Sequence, residues 1–131
     1  MAYSSIDQYR KSSVSSASPL QLVVLLYDGA LRFMEAGKHA MIQRDVYRQN
    51  ESLTKAQRIV CELLSTLDLD KGGEIAQNLA SLYTYVYNRL VQANIEDKPE
   101  LVDEAMAVMS ELRESWVELE RESRKGAEDA A

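Results

Sequence analysis

One cysteine, one histidine, two prolines and five glycines in 131 residues deprive several protein classes of their raw material. Cys61 on its own forms no internal disulfide, so nothing points to an oxidising compartment and the cytoplasm is the expected location. His39 on its own cannot supply the two Glu-x-x-His motifs of a di-iron helical bundle. Long apolar runs are missing as well. The longest, residues 22–27, is far too short to span a bilayer, and the first residues lack the basic start and apolar stretch of a signal peptide. Neither secretion nor membrane insertion is expected.

What remains is 46% hydrophobic and 27% charged, the composition of a helix-rich globular protein of one domain. The net charge of −6 is unevenly spread, because residues 96–131 hold 12 acidic and 5 basic side chains and the rest is close to neutral. An acidic last quarter repels phosphate backbones and anionic lipid, so nucleic acid and membranes are not expected partners. The nearest approach to a basic patch, Arg44, Arg48, Lys55 and Arg58, reads as a solvated helix face. No catalytic constellation emerges. Gly72 and Gly73 lack the flanking pattern and lysine of a phosphate loop, the carboxylates of the last quarter recur at solvent-facing intervals, and Cys61 reads as a structural thiol. The expectation is a non-enzyme with no cofactor and no metal.

Punctuation divides the chain into a tail and four helices. Residues 1–17 are rich in serine and predict a flexible segment, interrupted by Tyr3, Ile6, Tyr9 and Val14. Ser18 before Pro19 is an N-cap with proline at the first helical position, starting a helix that runs to about Arg44. Asp45 caps a second helix to about Leu67, and the glycine pair ends the connection that follows. A third helix covers about residues 74–93, with Asn94 as its stop. Pro99 opens a fourth that fades near Arg124, leaving residues 126–131 frayed. Residues 18–125 thus form the domain.

Heptad spacing supplies the seams: Val46, Leu53, Val60 and Leu67 with Ala56 and Leu63 on the second helix; Ile75, Leu79, Leu82, Val86, Leu90 and Ala93 on the third; Val102, Ala105, Met109, Leu112, Trp116 and Leu119 on the fourth. Short connections make neighbours antiparallel, so the expected fold is an all-α, up-down-up-down four-helix bundle with a flexible N-terminal tail. The first helix carries too much apolar surface for one seam. Leu22, Leu26, Gly29, Phe33, Gly37 and Ala40 are taken as its core stripe, yet Leu20, Val24, Tyr27 and Leu31 form a second. Further apolar residues flank the other seams: Ile59 beside Leu63, Ala76, Ala80, Tyr83, Tyr87 and Val91 on the third helix, Leu101 and Val108 on the fourth. Surplus of this kind predicts a groove for amphipathic segments of another chain. Its expected lining is Tyr27, Ile59, Leu63, Tyr83, Tyr87, Leu101 and Val108, with Ile6 and Tyr9 of the tail able to fill it when empty.

These residues also carry a resemblance. Ile6-x-x-Tyr9, Pro19, Leu26-Tyr27-Asp28-Gly29-Ala30, Lys55-Ala56-Gln57, Leu67-Asp68, Gly72-Gly73-Glu74-Ile75-Ala76-x-Asn78-Leu79, Leu82-Tyr83-x-Tyr85, Leu90, Gln92-Ala93-Asn94, Leu112 and Trp116, in this order, resemble the flagellin-specific export chaperones of the FliS type over nearly the whole chain. The resemblance implies a cytoplasmic bundle that binds the disordered C-terminal segment of flagellin, lets it form helices on the chaperone surface, prevents premature polymerisation and presents the complex to the cytoplasmic part of the flagellar export gate. It ties Ile6 and Tyr9 to capping of the empty groove and to partner engagement. Other flagellar regulators stay open as further partners. The competing class is a regulatory or phosphotransfer-like bundle that binds a folded partner. Phosphotransfer domains of this shape follow their histidine with a lysine and a small residue, whereas Ala40, Met41 and Ile42 follow His39.

Overall fold

The computed structural model describes residues 17–130, so Ile6, Tyr9 and nearly all of the expected tail lie outside the described residues. Four helices follow in order: α1 (Pro19–Ile42), α2 (Val46–Ser65), α3 (Gly73–Glu96) and α4 (Pro99–Ala130). They form a ring in which α1 packs on α2 and α4, and α3 packs on the same two. The direction of packing is fixed by ion pairs. Lys38 meets Asp103 at 2.8 Å while Asp28 meets Arg113 at 2.5 Å, so position rises along α1 as it falls along α4. The architecture is therefore the all-α antiparallel four-helix bundle.

Local chemistry sets the helix ends. At α1 the Ser18 hydroxyl accepts from the Gln21 amide at 3.1 Å and the Gln21 side chain accepts from the Ser18 amide at 2.8 Å, a reciprocal capping box ahead of Pro19. α1 stops at Ile42, two residues short of the expected end, because Arg44 takes a left-handed conformation at φ 59° to reverse the chain. Asp45 then caps α2 by accepting from the Arg48 amide at 3.1 Å. The glycine pair is required on two separate grounds. A Cβ on Gly72 would stand 2.5 Å from that of Ala76, and Gly73 holds φ +58°.

Two helices run past their expected limits. α3 continues through Asn94 to Glu96, because the Asn94 side chain is engaged across the α2/α3 seam. Its stop is Asp97 at φ 55°. Gln49, buried at 3% exposure, donates from Nε2 to Asp97 Oδ1 at 2.8 Å and Asn94 Oδ1 at 3.1 Å. α4 continues beyond Arg124 to Ala130, since residues 118–129 are mostly good helix formers and Arg121 and Arg124 pair back to Glu118 and Glu120.

The core differs from the expected stripes chiefly on α1. Tyr27, Ala30, Met34, Gly37 and Met41 face inward, a 3-4-3-4 row lying between the two stripes read from sequence, while Leu22, Leu26 and Phe33 are only half-buried. On α3 the inward row includes Ala76 and Tyr83, and Ile75 is 74% exposed. Val46 and Leu119 also lie outside the core. Cys61 is exposed and is not part of the core.

Candidate partner-binding surface

The contiguous packed core lies in one half of the bundle, and Ala76, buried in the other half against Gly72, stands outside that cluster. The core extends from Met41, Gln49, Ala93 and Leu101 at one end to a layer formed by Tyr27, Leu63, Tyr83 and Met109. Beyond that layer the picture changes. α2, at 20 residues the shortest helix, ends at Ser65, within one turn of Leu63. Past that layer α1 and α3 extend two to three turns and α4 further, most of this length without α2 alongside. Three helices cannot enclose a four-helix core, so their inward side chains are left partly uncovered. All seven residues 20–26 of α1 are half-buried, as are Leu79 and Leu82 of α3 and Leu112, Trp116 and Val117 of α4. Val23, Leu26, Leu79, Leu112 and Trp116 rest on the core cluster from this side, and Leu67 of the α2–α3 connection covers only part of the gap.

A polar cluster closes the floor of this open end. The Tyr27 and Tyr83 hydroxyls stand 2.5 Å apart on diagonal helices, and the Trp116 indole Nε1–H donates to the Tyr27 oxygen at 3.0 Å. The two phenol rings are tilted by 52° at 6.3 Å between centroids. Next to it, Arg113 Nε donates to Asp28 Oδ1 and clasps α1 to α4.

Burial raises the pKa of both tyrosines above the ordinary phenol value, and for Tyr27 the bond to Tyr83 raises it further. The folded state therefore keeps phenolic protons that the unfolded chain releases above pH 10. This contribution is present in full below pH 10 and is lost as pH rises beyond it. Urea midpoints between pH 9 and 11 are expected to fall more steeply for the parent than for Tyr27→Phe, and parallel curves would remove the tyrosine pair as the cause.

The residues expected to line a groove are divided by this geometry. Tyr27, Leu63 and Tyr83 meet at the floor, covered to 0%, 2% and 1% exposure, and Ile59 lies one turn above Leu63 in the core. Leu101 is buried at the far end, so none of these five presents an outer flank. Tyr87 and Val108 are half-buried and belong to the closed half. The half-covered residues Val23, Leu79, Leu112 and Trp116 were not marked by sequence reasoning. The last three stand in the expected seams, which lose their cover only because α2 ends at Ser65, before its expected limit near Leu67.

Among the described residues no helix is long and apolar enough to cross a membrane.

Comparison with known proteins bears on the whole chain. The model of the family described as flagellar protein FliS matches residues 2–123. The flagellar secretion chaperone FliS of Bacillus subtilis is 35% identical over 122 residues, 91% of this chain and 90% of the relative. That of Salmonella typhimurium is 39% identical over 110 residues, covering 83% and 82%, and that of Vibrio cholerae is 36% identical over 116 residues, covering 86% and 85%. With the family pattern spanning all four helices and the tail before them, the chain belongs to the flagellar protein FliS family.

Proposed function

We propose that this chain is a cytoplasmic secretion chaperone without catalytic activity, that its client is the disordered C-terminal segment of flagellin, and that it hands the client to the cytoplasmic part of the flagellar export gate. The observation that carries the reading is a rigid bundle whose short α2 leaves apolar side chains of three helices half-covered, in a chain whose relatives are named flagellar secretion chaperones. A segment that folds on binding must offset its ordering entropy with a large apolar contact, and an open bundle end continuous with helix flanks offers one. Tyr87 and Val108 extend the surface along the α3 and α4 flanks in this reading. Ile6 and Tyr9 serve it from the tail. Occupying the segment keeps it from polymerising before export.

Titration calorimetry with the C-terminal segment of a flagellin from the same source, together with circular dichroism of the mixture, tests this. Binding with a negative heat-capacity change and helix content above the sum of the parts is expected. An absence of heat and of added helix would remove flagellin as the client.

A further inference from the structure

We propose that Tyr27 and Tyr83 are positioning residues for Trp116, holding its indole in one orientation as the fixed aromatic wall of the open end. This rests on the reading of that end as the client surface, and it names what keeps the surface in shape.

Trp116 is the only tryptophan of the chain and the largest side chain among the half-covered residues beyond the core layer. It is half-buried and packs on the core cluster, so part of the side chain is open to a partner. An indole in such a place, at the edge of a bundle that lacks its fourth helix, has room to adopt other rotamers. What restrains it is the Nε1–H bond to the Tyr27 oxygen at 3.0 Å.

That oxygen is itself immobile. Tyr27 is fully buried, its ring is fixed in the α1 row, and its hydroxyl is tied at 2.5 Å to Tyr83, which reaches it from the diagonal helix α3. The chain of bonds therefore runs from α3 through α1 to α4 and ends on the one member that faces the open end. A Phe pair of the same shape would fill the core without a polar atom, and burying two hydroxyls brings a desolvation cost that the network must offset. The network delivers orientation, because the indole Nε1–H has a single donor direction and the Tyr27 oxygen defines where it points. A preorganised aromatic wall spares an incoming helix the entropy of ordering it, which is where large aromatic side chains gain their weight in binding.

The test uses the full chain and three variants, Tyr27→Phe, Tyr83→Phe and Trp116→Phe, each checked by circular dichroism and urea unfolding. The single indole Nε1–H resonance is followed by NMR for solvent exchange, and the flagellin C-terminal segment is titrated calorimetrically. In Tyr27→Phe the indole proton is expected to exchange at least about tenfold faster and the Kd to rise about tenfold, a change of about 1.4 kcal/mol. Tyr83→Phe, which frees the Tyr27 hydroxyl and also removes a second oxygen near the indole, moves both readouts in the same direction. Trp116→Phe weakens binding, and adding Tyr27→Phe to it weakens binding no further.

An indole proton whose exchange is unchanged in both tyrosine variants overturns the proposal. So does faster exchange with no change in Kd, since the orientation would then serve no partner. If the unsubstituted chain itself takes up no segment, the client reading fails, and the exchange rates alone then decide whether the tyrosines hold the indole. A Tyr27→Phe chain that does not fold leaves the decision to Tyr83→Phe.

Discussion

Gly37→Ala is expected to destabilise the bundle even though alanine is the better helix former. A Cβ at this position would stand 2.5 Å from Leu53 Cδ2 and 2.7 Å from its Cγ, and Leu53 is fully buried with no free direction in which to withdraw. Overpacking of this kind costs about 1–3 kcal/mol. The gain from replacing glycine in a helix is no more than about 1 kcal/mol. Leu53→Ala alone removes three side-chain carbons from the same seam, and costs about 2–5 kcal/mol by transfer and cavity terms. The two changes compensate in part, since the space vacated by Leu53 accepts the new methyl. The double variant should therefore be more stable than the sum of the singles by about 1 kcal/mol or more, a coupling that urea unfolding with a shared m-value can resolve. Additive effects, or a stabilised Gly37→Ala, would show that α1 and α2 can separate slightly at no cost and that the close approach is not what sets their spacing.

Leu112→Glu and Ile95→Glu place the same charge on the two ends of the bundle and should differ sharply. Leu112 is half-buried at the open end and rests on the core cluster, whereas Ile95 is 76% exposed in the last turn of α3 at the closed end. If the open end holds the client, Leu112→Glu puts a desolvated carboxylate into the contact and is expected to cost about 2 kcal/mol or more of binding, at least about thirtyfold in Kd. Ile95→Glu should bind as the parent does. Calorimetry with the flagellin segment reads both, and unfolding midpoints show whether each variant is still folded. Equal affinities for the two variants would move the client surface away from the open end, to the flanks that carry Tyr87 and Val108.

Both predictions depend on features that were only partly legible in the linear chain. The capping residues Ser18 and Asp45 were legible because their chemistry is local and needs nothing outside their own turn, whereas the reciprocal bond from Gln21 emerged only in the structure. The glycine pair was legible as a break for the same reason. Asn94 misled because its side chain is occupied by Gln49 and Asn50 from α2, a tertiary contact that keeps it inside the helix it would otherwise end. α4 outran its expected end because close-range ion pairs sustain a helix without any partner beneath it.

By itself the amino-acid sequence determined the number of helices, their order and antiparallel sense, and the family to which the chain belongs, all of which follow from caps, short connections, seven-residue spacing and shared motifs. The tertiary structure alone decided how α1 is turned about its own axis, because an all-round apolar helix has several equivalent stripes and only the volumes of its neighbours, such as Leu53 against Gly37, choose among them. It also decided where the core ends. Periodicity marks which side of a helix is apolar, but whether that side is covered depends on how far the facing helix extends, and α2 stops a layer early. The bond from Trp116 to Tyr27, 89 positions apart, exists only because that layer brings α1, α3 and α4 together.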